Sequence, residues 1–174
     1  FENGISKFAK SKFSVAFNSA TSALHMACLA LGLKKGDYLW TSPITFVASA
    51  NCGLYCQAKI DFVDINPITG LMDINKLKEK LEIVKKNNKL PRILVPVHLA
   101  GTSCDMPEIY NLSKIYGFSI IEDASHAIGG YCNNIEVGSC KYSNITVFSL
   151  HPVKIITSGE GGIATTNDKD ISNK

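Results

Sequence analysis

The sequence predicts an α/β fold, a three-layer αβα arrangement around a mostly parallel sheet. Short β-branched and apolar runs alternate with stretches of helical periodicity along the chain. The runs are separated by enough residues for a helix to cross back over the sheet, which is how parallel strands are joined and how both faces become covered. The chain has 174 residues, 45% hydrophobic and 19% charged, enough to bury one domain's core.

Phe1 begins inside what reads as a helical segment. Phe13-Ser14-Val15-Ala16-Phe17 is the first predicted strand. Thr21 to Leu31 follows as a helix, because Leu24, Ala27, Cys28 and Leu31 share one face, and Gly32 stops it. Tyr38 to Thr41 is a short strand, Phe46 to Tyr55 a helix, and Lys59 to Val63 a third strand. Asp73 opens a helix running to about Lys86, and Ile93 to Val97 is an apolar strand closed by Gly101. Pro107 to Tyr116 is helical with Gly117 as its stop, and Ser119 to Asp123 is a strand with an acidic end. After a Gly-rich stretch come two more strands, Ile145 to Phe148 and Gly162 to Thr166. Asp168 to Lys174 is a polar, helix-starting tail, and both ends of the chain read as cut.

Composition narrows the function classes. The net charge of +3 is spread among 18 Lys/Arg and 15 Asp/Glu. The densest basic stretch, Lys85-Lys86-Asn87-Asn88-Lys89, closes a predicted helix and reads as its solvated end, not as a nucleic-acid patch. No apolar run approaches the roughly 18 residues of a membrane helix, and Phe1-Glu2-Asn3-Gly4 lacks the pattern of a signal peptide. The six cysteines, 28, 52, 56, 104, 132 and 140, contain no CxxC pair and read as buried thiols of a reducing cytoplasm. Cys52 and Cys56 share a helix face at i,i+4, but two thiols do not complete a metal site, so no metal is expected.

In a parallel sheet covered on both faces, ligands sit beyond the carboxyl ends of the strands. Four segments that follow strands therefore carry the candidate chemistry. Asn18-Ser19-Ala20-Thr21-Ser22 puts small hydroxyl and amide residues where a strand turns into a helix, a geometry that suits a phosphate and equally an ordinary N-cap. Pro43-Ile44-Thr45-Phe46 supplies an aromatic plate. Asp123, ending an apolar strand, projects a carboxylate that calls for a metal or a cation (a protonated pyridine nitrogen, a Lys or an Arg), or else caps the next helix. His126 could hydrogen-bond a ligand oxygen or be structural. Lys154, after Ser149-Leu150-His151-Pro152-Val153 and before a Gly-rich turn, is either a surface lysine or an amine that forms a Schiff base with a carbonyl, the entry to pyridoxal chemistry.

A phosphate cup, an aromatic plate, a strand-end Asp and a later lysine are the parts that pyridoxal 5′-phosphate (PLP) requires. Phe17-Asn18-Ser19-Ala20-Thr21-Ser22-Ala23-Leu24, Thr41 to Asn51, Asp123-Ala124-Ser125-His126-Ala127, Phe148 to Lys154 and Glu160-Gly161-Gly162 resemble the DegT/StrS-type nucleotide-sugar aminotransferases over essentially the whole chain. Within that family the resemblance is strongest to the branch of pseudaminic acid synthesis. Ala20 stands where many relatives have Gly, and Ile155 replaces a frequent Pro.

The resemblance implies the large domain of PLP fold type I, with a mixed seven-stranded sheet over residues 1–174. It also implies an amino-terminal segment and a small carboxy-terminal domain outside this chain. Lys154 would carry the cofactor and move the proton, Asp123 would pair with the pyridinium nitrogen, and His126 would lie near the phenolic oxygen. Phe46 would stack on the ring, and Thr21, Ser22 and Ser149 would hold the phosphate. The implied reaction moves the amino group of L-glutamate to a UDP-linked 4-keto-6-deoxy-N-acetylhexosamine, in a cytoplasmic homodimer. The alternatives are another nucleotide-linked keto sugar, or a non-catalytic remnant of the fold. A sugar dehydratase is disfavoured, because that branch replaces the Schiff-base lysine by His.

Overall fold

The computed structural model describes residues 1–86 and 89–174. Its elements run α1 (Glu2–Ala9), β1 (Phe13–Phe17), α2 (Ala20–Ala30), β2 (Tyr38–Thr41), α3 (Ala48–Tyr55), β3 (Lys59–Phe62), α4 (Ile74–Lys85), β4 (Ile93–Val95), α5 (Met106–Tyr116), β5 (Ser119–Asp123), β6 (Tyr131–Cys132), β7 (Ile135–Glu136), β8 (Ile145–Ser149), β9 (Gly162–Thr166) and α6 (Lys169–Ser172). A 3-10 turn occupies Leu99–Gly101.

Seven strands form one sheet in the order β1-β9-β8-β5-β4-β2-β3. β8, β5, β4, β2 and β3 are mutually parallel, while β9 runs antiparallel to both β1 and β8. The exception has a simple cause. Residues 150–161 join β8 to β9 without a helix, so the chain does not cross back to the start of the sheet and returns in the opposite direction. That connection therefore stays at the carboxyl edge of β8, and it carries Lys154.

The period of two along the strands sorts the core into two faces. Leu39, Ile93, Val95, Ile121 and Val147 pack with Leu24, Ala27 and Cys28 of α2 and Cys52 of α3. Trp40, Leu94 and Ile120 point the other way, onto Leu77 and Leu81 of α4 and Met106, Ile109 and Leu112 of α5. Ala9 of α1 joins Phe148 and Ile163 in a third cluster. This is the expected three-layer arrangement.

The helix boundaries follow local chemistry. Asp73 caps α4 by accepting from the N–H groups of Asn75 and Lys76, and Gly117 ends α5 at φ 79°. Phe46 and Val47, inside the predicted helix, lie just before the observed α3, and the regular part of β4 stops at Val95 with Val97 bridging Asp123. The β6–β7 hairpin was not foreseen in its Gly-rich stretch. Asn87 and Asn88 of the basic stretch lie outside the described residues. The six cysteines are free thiols, five of them buried. Among the described residues no helix is long and apolar enough to cross a membrane.

Candidate active site

At the carboxyl edge of the sheet lies a cavity of about 300 Å³, walled by the start of α2, the segment before α3, the end of β5 and the β8–β9 connection. Thr21, Phe46, Asp123, His126, Ser149 and Lys154 all line it. These residues come from segments up to 133 positions apart, and the parallel strands bring them together. Ser22 is the exception among the residues singled out in the sequence. It is absent from the wall, and its hydroxyl donates to Asn18 Oδ1 at 2.6 Å.

The start of α2 faces the cavity with unspent donors. Ser19 is its N-cap, and Ser19 Oγ accepts the Ser22 N–H at 3.1 Å. The first N–H groups of a helix have no partner within it, so those of Ala20 and Thr21 remain for an anion. Gly162 sets how closely this helix approaches the sheet. A Cβ there would lie 2.3 Å from Ser19 C and 2.4 Å from Ala20 N, so only glycine lets the helix start pack against β9.

Asp123 is 4% exposed, and three donors fix it. Ser125 donates its hydroxyl (2.6 Å) and its N–H (3.2 Å) to Oδ1, and Ser49 of α3 donates to Oδ2 at 2.6 Å. Ser49 has one hydroxyl proton to give, so the 2.7 Å contact between Thr45 Oγ1 and Ser49 Oγ is a donation from Thr45. A relay from Thr45 through Ser49 thus ends on the carboxylate. These donors orient both carboxylate oxygens, and the cavity offers room for a cationic partner.

His126 Nδ1 accepts the Ala100 N–H at 3.3 Å, which leaves the proton on Nε2. Burial holds the His126 pKa below the ordinary imidazole value, the nearby Lys154 charge lowers it further, and Asp123 opposes both. The ring is therefore neutral, a donor through Nε2. Lys154 is half-buried in a tight turn in which its N–H donates to the His151 carbonyl at 2.9 Å. His151 Nε2 in turn lies 3.7 Å from Glu160 Oε1 across the same loop. Phe46, 70% exposed, stands at the rim as a bare aromatic face.

Ser49, Thr45 and Ser125 carried no assigned role in the sequence. Their signal was present in the spacing: Thr45 and Ser49 at i,i+4 beside a buried acid are the donors such an acid needs.

This set fits pyridoxal phosphate on the structure's own terms. A buried carboxylate with both oxygens oriented, free helix-start N–H groups against a glycine, a rim aromatic and an amine line one volume.

A family model described as the DegT/DnrJ/EryC1/StrS aminotransferase family matches residues 1–174. Two proteins of Campylobacter jejuni named UDP-4-amino-4,6-dideoxy-N-acetyl-beta-L-altrosamine transaminase are 42% and 40% identical over 174 residues, covering 100% of this chain and 44% of each relative. Helicobacter pylori PseC, an aminotransferase involved in the biosynthesis of pseudaminic acid, superposes with a TM-score of 0.86 at 32% identity, covering 99% of this chain and 44% of that one. A Streptococcus pneumoniae chain solved in a PLP form and a PMP form superposes at 0.83 with 26% identity, over 98% of this chain and 45% of its own.

The α/β fold with its seven-stranded mixed sheet is that of the PLP-dependent aminotransferases. The chain belongs to the DegT/DnrJ/EryC1/StrS aminotransferase family, whose cofactor is pyridoxal phosphate. It spans less than half the length of the curated relatives it matches.

Proposed function

We propose that residues 1–174 are the cofactor-binding large domain of a cytoplasmic, homodimeric aminotransferase that moves the amino group of L-glutamate to a UDP-4-keto-6-deoxy-N-acetylhexosamine, as in pseudaminic acid synthesis. The observation that carries the reading is the convergence of Lys154, Asp123 and His126 on one cavity in a chain 42% identical to a transaminase of that amino sugar.

Pyridoxal phosphate, when bound, supplies an electron sink that lets the carbon bearing an amino group give up its proton. The chain's residues do the rest. Lys154 anchors the cofactor through its Nζ and then takes and returns that proton. Asp123, held by Ser49 and Ser125, keeps a positive N–H opposite its carboxylate and so sustains the sink. His126 Nε2 donates to an oxygen acceptor. Thr21, Ser149 and the start of α2 bind the phosphate, with Ser22 supporting the turn through Asn18. Phe46 excludes water from one face of a flat ring.

Exposed apolar side chains gather beside the cavity, with Ile44, Phe46 and Val47 on one side and Val153, Ile155 and Ile156 on the other. A second subunit covering them would shelter the site and account for the surface.

The test is an assay of the full-length protein with L-glutamate against a panel of UDP- and dTDP-linked keto sugars. Preferential conversion of the UDP-4-keto-6-deoxy-N-acetylhexosamine is the expected result. Preference for another nucleotide or keto position would replace the substrate assignment, and no turnover with any would refute the activity.

A further inference from the structure

We infer that the buried pair His98–Glu122 is a positioning device for the cavity, setting the ring of His126 and the end of β5 that carries Asp123. The inference rests on the cofactor reading above for its purpose, and on hydrogen-bond geometry for its content.

Glu122 precedes Asp123, so the two side chains leave opposite faces of the sheet. On its face Glu122 is buried, and its carboxylate accepts from Thr146 Oγ1 at 2.8 Å, from the Ser143 hydroxyl, and from His98 Nε2 at 2.8 Å. Burial favours the neutral acid, but these donors outweigh it and hold the Glu122 pKa below the usual carboxylate value. His98 is 0% exposed. Its other nitrogen, Nδ1, accepts the Cys104 N–H at 3.2 Å. Burial disfavours a charged His98, while its neighbours Cys104 and Glu122 pull the other way. An imidazolium, however, has no lone pair for the Cys104 N–H, so the neutral Nε2–H tautomer is the one this geometry permits. The side chain of His98 is thus clamped at both ends.

The clamp reaches the cavity through the backbone. The His98 N–H donates to the Asp123 carbonyl at 3.0 Å, and the Asp123 N–H donates to the Pro96 carbonyl at 3.0 Å, which locks the last residue of β5 to the end of β4. The His98 carbonyl accepts the Gly101 N–H at 3.2 Å, closing the turn that holds Ala100 at φ 53°. A non-glycine residue in that region is strained and persists only where its surroundings hold it. What the strained turn delivers is the Ala100 N–H to His126 Nδ1 at 3.3 Å. Gly101, at φ 91°, packs so close that an added Cβ would lie 3.0 Å from the His126 carbonyl. His98 stands in the cavity wall, but both nitrogens of its ring are taken, by Glu122 and by the Cys104 N–H. It acts through Ala100 and Asp123.

The test uses ¹⁵N-labelled protein without ligand, in which long-range ¹H–¹⁵N spectra report each histidine's tautomer, and PLP titration as a second readout. Wild type should show His98 and His126 both protonated on Nε2 and bare on Nδ1. His98→Leu and Glu122→Gln break the clamp from either end and should shift His126 toward a mixture of tautomers and weaken PLP binding by about tenfold, the equivalent of one lost buried hydrogen bond. His98→Gln, which restores a donor to Glu122, should recover most of both signals, a rescue that a merely space-filling role would not give. A folded His98→Leu or Glu122→Gln variant with wild-type His126 resonances and PLP affinity overturns the inference. So does a wild-type spectrum in which His98 is doubly protonated or carries its proton on Nδ1, a result that needs no variant to fold. If wild type shows the expected tautomers yet binds no PLP, the cofactor reading fails while the clamp stands.

Discussion

Ser49 donates its hydroxyl to Asp123 Oδ2 at 2.6 Å, joining the start of α3 to the end of β5 across 74 positions of sequence. The bond is buried, so its loss leaves an acceptor that water cannot readily reach. Replacing Ser49 by Ala is expected to cost about 1–3 kcal/mol of stability and to weaken PLP binding, because the carboxylate is then free to turn. Denaturant unfolding together with PLP titration checks both, and a variant as stable and as tight as wild type would show that Ser125 alone orients Asp123.

Gly162 is expected to tolerate no side chain. The Cβ of Gly162→Ala would lie 2.3 Å from backbone carbon of Ser19, which cannot swing aside as a side chain could. Overpacking commonly costs about 1–3 kcal/mol, and here relief requires moving the start of α2 away from the cavity. Phosphate-containing ligands should lose affinity more than phosphate-free pyridoxal. Equal losses for both would argue that the helix start does not hold the phosphate.

His126 gives the site a pH signature. Burial, with the Lys154 charge behind it, sets its folded pKa below the ordinary value, against the pull of Asp123. As pH falls past about 6.5 the unfolded chain takes up this proton before the folded one does. The stability linked to His126 is therefore full above that pH and declines as pH drops toward the folded value. An NMR titration should find the His126 pKa below that of a free imidazole and moved upward in Lys154→Ala. A value at or above the ordinary one would mean that Asp123 dominates the ring.

Much of the fold was legible because strand and helix periods differ. The runs at 13–17, 38–41, 119–123 and 162–166 coincide with the observed strands, each a compact apolar or β-branched run bounded by polar or turn-forming residues. The reversal of β9 was not legible in the residues themselves, since strand direction depends on what joins two strands, and loop 150–161 has no periodic signature. Local pattern placed Lys154, Asp123 and His126 at strand ends, and the structure sets them around one cavity. It could not show that Ser49 and Asp123 meet, nor that His98 and Glu122 do, because those contacts exist only once the sheet is assembled. A Glu inside an otherwise apolar strand was the available hint, for a buried carboxylate must find donors on its own face.

On the proposed function, Lys154 is the amine that receives the cofactor in this cavity. Borohydride reduction of the PLP-loaded protein fixes the attachment, and peptide mapping by mass spectrometry then locates it. The expected result is one pyridoxyl group per chain on the peptide containing Lys154, absent in Lys154→Ala although that variant keeps its far-ultraviolet circular dichroism. An adduct persisting at a single site in Lys154→Ala, or mapping to another lysine in wild type, would contradict the assignment.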